Sequence, residues 1–174
     1  LPGVALKLVD DQPQELDAQD DETIGEVAVQ SAAVFCGYLN RDDATAEVMD
    51  ADGWFYTGDL ATRTPEGSIR ILGRRSTDLI KTGGYRVGAG EIEACLLEHP
   101  SIREVAIVGV PDDDLGQRIV AFVVLRPGEP QNSQAFTAFV AERLSPHKRP
   151  RDVRFLEELP RNAMGKVQKK LLSS

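Results

Sequence analysis

Cysteine is nearly absent from this 174-residue chain. Its two examples, Cys36 and Cys95, stand far apart without metal-ligand spacing, which disfavours a disulfide framework or a zinc site and fits a reducing cytoplasm. Long apolar runs are missing too. No stretch of about 18 apolar residues occurs, and no signal-peptide pattern, so neither membrane insertion nor secretion is expected. Nor is there a surplus of positive charge: Asp and Glu number 28 against 20 Lys and Arg, a formal charge of -8. That balance argues against a general nucleic-acid surface, because phosphate binding needs clustered cations that release counterions. The exceptions are local, at Lys148 to Arg151 and Lys166 to Lys170. Internal repeats and low-complexity tracts are also lacking. What the chain does have is 41% hydrophobic residues, enough for a packed core in one domain, or in one small domain plus part of another.

The chain does not begin with Met, and its opening LPGVALKLV already reads as a turn followed by a strand, as expected of a piece of something longer. Apolar and polar residues roughly alternate from Val4 to Val9 and from Gly25 to Gln30, predicting two strands around an acidic loop, DDQPQELDAQDDE. YLNRDDATAEVM suits a short surface helix. DADGWFYTGDLATRTPEGSIRILGR reads as strand, turn and strand, with DADG and TPEG as turns. A boundary is expected between Gly73 and Asp78.

Beyond it the periodicity changes. GAGEIEACLLEHP puts Ile92, Cys95 and Leu96 on one helical face, and Pro100 stops the helix. EVAIVGVPD and QRIVAFVVLRPG look like buried strands. NSQAFTAFVAERL repeats the helical period through Phe136, Phe139, Val140 and Leu144, with Ser133 as the expected N-cap, and VRFLEEL is a final strand candidate. The order loop, helix, strand, strand, helix, strand predicts a compact α+β unit.

Four stretches can carry chemistry, each with a plain structural alternative. In GWFYTGDLA, Asp59 follows an aromatic-rich turn; its carboxylate could accept from vicinal ribose hydroxyls, or merely cap a hairpin. GRRSTDLIKTGGYRVGAGEIE holds Arg74, Arg75 and the pair Gly83 and Gly84. It matches neither phosphate-loop pattern, and a tight turn between two strands explains it as well as a ligand approach does. The cluster His147, Lys148, Arg149 and Arg151 could meet a phosphate or form a solvated loop. In PRNAMGKVQKK, Lys166 lacks the nearby acid or apolar surroundings of a Schiff-base lysine. It is either surface tail or, set behind Gly165, a point charge able to reach an anion.

Taken in order, GWFYTGDLA, GRRSTDLIKTGGYRVGAGEIE and PRNAMGK resemble the C-terminal part of the adenylate-forming superfamily: acyl-CoA synthetases, nonribosomal adenylation domains and luciferases. The resemblance runs the length of the chain. With LLEHPSIREVAIVGVPDDDLGQRIVAFVV, the sequence is most similar to bacterial acyl-CoA synthetases of the malonyl-CoA synthetase type.

The resemblance implies an α+β fold. Residues 1–75 would be the β-rich end of a large N-terminal domain, and 76–174 a small mobile domain with a central sheet flanked by helices. It also implies a reaction in which a small carboxylic acid attacks the α-phosphate of Mg-ATP to give an acyl-adenylate, after which CoA displaces AMP. Asp59 matches the ribose-binding aspartate, and either Arg74 or Arg75 the accompanying arginine. The hinge falls on Ser76 to Asp78, with Thr77 the match by register and Asp78 the match by chemistry. Gly83, Gly84 and Tyr85 match the segment lining the pantetheine passage, and Lys166 the lysine that bridges substrate carboxylate and α-phosphate. From charge alone, Arg143, Lys148 and Arg149 are candidate contacts to the CoA phosphates. No protein metal site is implied; Mg2+ comes with ATP. An S-G-T-T-G-x-P-K phosphate loop and a Y-G-x-T-E adenine segment are absent. The chain alone is therefore expected to be inactive, its partner being the large domain of the same protein. Rival expectations are a carrier protein in place of CoA as acceptor, or a non-catalytic module that keeps the fold.

Overall fold

Alternating apolar positions build the first sheet. A computed structural model describes residues 3–173, so the turn expected at Leu1 and Pro2 lies outside the described residues. Strands β1 (Val4–Val9), β2 (Gly25–Ser31), β3 (Phe55–Arg63) and β4 (Ile69–Arg74) form one antiparallel sheet in chain order. Its small core is Leu8, Val27 and Ala61, with Leu16, Val29 and Ile69 packed against it. The acidic loop between β1 and β2 folds on its own side chains. Asp20 Oδ1 accepts from the N–H groups of Glu22 and Thr23, and Oδ2 from the Thr23 hydroxyl. These bonds, the Thr23 hydroxyl foremost, hold Asp20 down at about 2. Helix α1 (Asp42–Val48) buries none of its residues, as a surface helix should.

The chain divides into two compact units between Arg75 and Ser76, within a single helical turn, α2 (Arg75–Asp78). The second unit opens on a hairpin, β5 (Leu79–Thr82) and β6 (Tyr85–Gly88). The glycine pair is thus a tight turn between two strands, although the element order expected from sequence omits both. The strands are only four residues long, so neither run shows a clear period. Helix α3 (Ala89–Leu97), β7 (Ile102–Asp112), β8 (Gly116–Leu125), α4 (Ser133–Ala141) and β9 (Asp152–Phe155) follow. The sheet order is β6-β5-β8-β7, and β9 runs parallel to β8. The result is a mixed α+β unit with a largely antiparallel sheet flanked by helices.

Both faces of this sheet are covered. Ile119, Ala121 and Val123 of β8 pack with Ile92 and Leu96 of α3 and Phe136 and Val140 of α4. Their neighbours Val120, Phe122 and Val124 face the other way, onto Leu159 and Leu172 of the C-terminal segment. Side chains alternate across a strand, so a strand buried on both sides reads as the continuous apolar run IVAFVV. Each large side chain so buried contributes about 1.5–3 kcal/mol.

Two local expectations are corrected. The N-cap of α4 is Asn132, whose Oδ1 accepts from Ala135 N–H at 3.1 Å; Ser133 is the first helical residue. Leu144 lies past the end of α4, yet still packs on the core.

Candidate functional site

In the first unit, Asp59 sits within β3 rather than in a turn, paired in register with Arg74 of β4. The ladder is irregular between Leu60 and Ala61. Just before Asp59, Gly58 takes φ +74°, and its N–H donates to Glu26 Oε1 at 2.9 Å. Beside this kink and register shift, the Asp59 carboxylate is left 38% exposed. Arg74 Nε lies 3.1 Å from Asp59 Oδ1, and Arg74 Nη1 donates to Thr57 O at 2.6 Å. Arg75 is occupied elsewhere: Nη1 meets Glu26 Oε2 at 2.6 Å and Nη2 meets Asp11 Oδ1 at 3.2 Å. Glu26 is buried, and Arg75 with the Gly58 N–H compensates its charge. Two adjacent arginines therefore have separate work, one beside Asp59 and one against buried Glu26.

Next to them lies a cavity of about 550 Å³ lined by Glu26, Tyr38, Tyr56, Gly58, Arg74 and Arg75. Its wall is stiffened by Asp50, which accepts from Trp54 N–H at 2.9 Å and from the Tyr56 hydroxyl at 2.8 Å. Burial pulls the Asp50 carboxyl upward. The bonds from Trp54, Tyr56 and Asp52, with the Lys7 charge, outweigh it and hold the group below the usual carboxylate range. Burial, then Asp50, pushes the Tyr56 phenol up to about 12.

In the second unit, Gly83 and Gly84 form the two-residue turn between Thr82 and Tyr85, with φ of +55° and +83°. Positive φ at both central residues is what a type I′ hairpin requires. Nothing lies within 4 Å of where a Gly84 Cβ would stand, so conformation rather than crowding selects that glycine within the unit. Tyr85 stacks on His147, ring centroids 4.3 Å apart and planes 8° from parallel. Gly83, this stack, Arg149 and Arg151 line a cavity of about 180 Å³.

The basic cluster thus splits. Arg149 and Arg151 face this cavity, while Lys148 Nζ turns to Glu91 Oε2 at 2.7 Å. Arg143 lies 3.6 Å over the Phe139 ring and donates to Phe139 O.

Lys166 stands on a loop closed by its own hydrogen bonds. Asn162 N–H donates to Lys166 O, and Gly165 N–H to Asn162 O, each at 2.9 Å. Asn162 Oδ1 accepts from the N–H groups of Met164 and Lys166, and Arg161 Nη1 donates to Gly165 O. Gly165, at φ +80°, closes this turn. The Lys166 side chain is exposed and makes no ion pair among the described residues. Val167, next to it, packs on the sheet face opposite α3 and α4.

Of the two hinge candidates, Thr77 donates through Oγ1 to Asp78 Oδ2 at 3.2 Å, and Asp78 is paired with Lys169. Lys169, Glu26 and the Tyr85–His147 stack were missed by sequence reasoning. Only the Asx-type spacing of Asp50 before Gly53 and Trp54 carried a local signal for the aromatic turn. Among the described residues no cluster of His, Cys, Asp or Glu is placed to hold a metal ion, and no helix is long and apolar enough to cross a membrane.

Residues 91–166 match the family of AMP-binding enzyme C-terminal domains. Over 99% of its length the chain is 40% identical to the mitochondrial malonate–CoA ligase of Homo sapiens, of which it covers 33%. ATP-bound MatB of Rhodopseudomonas palustris superposes with a TM-score of 0.85 at 37% identity, covering 99% of this chain and 34% of that one. The amide bond synthetase McbA of Marinactinospora thermotolerans superposes at 0.87 with 32% identity, over 99% and 34% respectively. The chain spans about a third of the length of these relatives.

Proposed function

We propose that the chain, which carries the AMP-binding enzyme C-terminal domain over residues 91–166 and is homologous to the C-terminal third of malonate–CoA and other acyl-CoA ligases, serves an AMP-forming acid–thiol ligase. In this proposal residues 1–75 are the end of the large domain and 76–174 the mobile small domain. The intact enzyme joins a small carboxylic acid, malonate or a near analogue, to CoA in a reaction driven by ATP, and these residues alone do not turn over.

Lys166 carries the proposal. Its backbone is held at both its N–H and its carbonyl by Asn162, while its ammonium is exposed and has no carboxylate partner among the described residues. A cation held this way suits the charge that builds on the α-phosphate oxygens as the carboxylate attacks and pyrophosphate leaves. Asp59 accepts from the ribose hydroxyls. Of the two arginines, Arg74 is the one beside it, since Arg75 is taken by buried Glu26. Mg2+ enters as part of the ATP substrate, and none of these roles asks the chain for a metal ligand.

In the second half-reaction the Gly83–Gly84 turn borders the thiol arm. The Tyr85–His147 shelf with Arg149 and Arg151 offers stacking and guanidinium charge to the nucleotide end of CoA. Cys36 is exposed and Cys95 buried, both free thiols, which suits a reducing compartment such as the cytoplasm.

Lys166→Ala in the intact enzyme should lower carboxylate-dependent ATP–pyrophosphate exchange by about 10²–10³-fold while sparing thioester formation from supplied acyl-adenylate. Equal loss in both assays refutes the role given to Lys166. The likeness to an amide bond synthetase favours one second reading, an acceptor other than CoA. Offering CoA, a carrier protein and an amine to the preformed adenylate separates the two.

A further inference from the structure

Lys169 lies in what the sequence presents as a solvated basic tail, yet its side chain is only 16% exposed. Its ammonium binds two carboxylates: Asp78 Oδ1, and Glu93 Oε1 at 2.7 Å. Those side chains are 15% and 20% exposed. Glu93 Oε1 accepts in addition from Ile107 N–H at 2.8 Å, so the ammonium ties four segments together: the start of the second unit, α3, β7 and the C-terminal tail. The tail is anchored on either side of Lys169 by Val167 and buried Leu172 against the second sheet face.

An ammonium shared by two largely buried carboxylates is asymmetric in its consequences. With it present, both acids have its opposite charge beside them; its removal takes that charge from Asp78 and Glu93 together, in a site water reaches poorly. Asp78 is thereby held to the body of the second unit, three residues along the chain from Arg75, after which the two units part.

We infer that Lys169 is a positioning residue that pins Asp78 into the second unit, so that any rotation between the units is absorbed before Asp78, at Ser76 and Thr77. The inference rests on the proposed domain alternation. It makes Asp78 the first fixed residue of the moving body rather than the pivot, and it links that residue to the tail that carries Lys166, three positions before Lys169.

The test uses the intact enzyme, with amide hydrogen exchange across 76–82 and 160–172 beside the two half-reaction assays. Lys169→Met should speed exchange in both segments and slow both half-reactions, each on the order of tenfold or more, and Lys169→Arg should restore most of both. Unchanged exchange at 76–82, or no rescue by arginine, overturns the inference. If Lys169→Met does not fold, Asp78→Asn keeps the Lys169–Glu93 pair; it should loosen 76–82 while 160–172 stays protected, and unaltered protection at 76–82 overturns the inference equally. Failure of Lys166→Ala to separate the half-reactions would count against the proposed function and leave the exchange result standing.

Discussion

The two units bury their sheets differently. The first has a four-stranded sheet over a small core of Leu8, Val27 and Ala61, and leaves Val4, Leu6 and Ile71 exposed. The second covers both sheet faces, one with α3 and α4 and the other with the C-terminal segment. The proposed alternation asks the second unit to turn as one piece, which needs contacts that do not depend on a neighbour, and its two covered sheet faces supply them. The first holds the ion pair of Asp59 and Arg74, to which the proposed function gives the ribose contact, on adjacent strands, where register rather than a deep core fixes the geometry.

That contrast can be broken most decisively at Phe136, which is 2% exposed on the buried face of α4. Phe136→Ala should cost about 3–5 kcal/mol in denaturant unfolding, confined to a transition of the second unit. One shared transition that shifts as a whole would show the units to be a single cooperative body.

A smaller effect separates the neighbouring arginines. Arg75→Ala should destabilise the first unit by about 1–3 kcal/mol, because buried Glu26 loses its cation. Arg74→Ala should leave stability nearly unchanged and raise KM for ATP in the intact enzyme. The reverse assignment would exchange their roles. Smaller again is Gly84→Ala, which forces a side chain into positive φ and should cost about 1–2 kcal/mol in the second unit. Gly84→Asn should recover part of this, since asparagine tolerates that conformation.

Near neutral pH the smallest effect comes from the Asp50–Tyr56 pair. Asp50 is depressed in the folded chain, so its stabilisation is complete above the ordinary carboxylate pKa and fades as pH falls through the depressed folded value. Tyr56 is raised to about 12, so its contribution is intact below the ordinary tyrosine pKa and is lost as pH rises through about 12. Stability profiles of Tyr56→Phe should lose the alkaline part of this dependence; an unchanged alkaline limb would refute the assignment.

Much of this was legible in the chain. Period-2 alternation located β1 and β2, although burial there gathers at one end of each strand rather than on one face, and helical spacing located α3 and α4, each of which buries one face. The strands of the β5–β6 hairpin were not, since four residues carry too few apolar positions to display a period. The cap of α4 was misplaced by one residue because Asn132 and Ser133 are both good capping residues, and only backbone geometry chooses between them.

By itself the sequence determined which residue types were available and in what order: the aspartate after the aromatic turn, the glycine pair, and the lysine behind Gly165. Only the tertiary structure decided which arginine meets Asp59, that Lys166 is exposed, and that Lys169 is held, largely shielded, by Asp78 and Glu93. The reason is physical. Partners such as Asp59 with Arg74, or Lys169 with Asp78, are set by strand register and by segments far apart in the chain, whereas local patterning constrains only a residue's immediate neighbours.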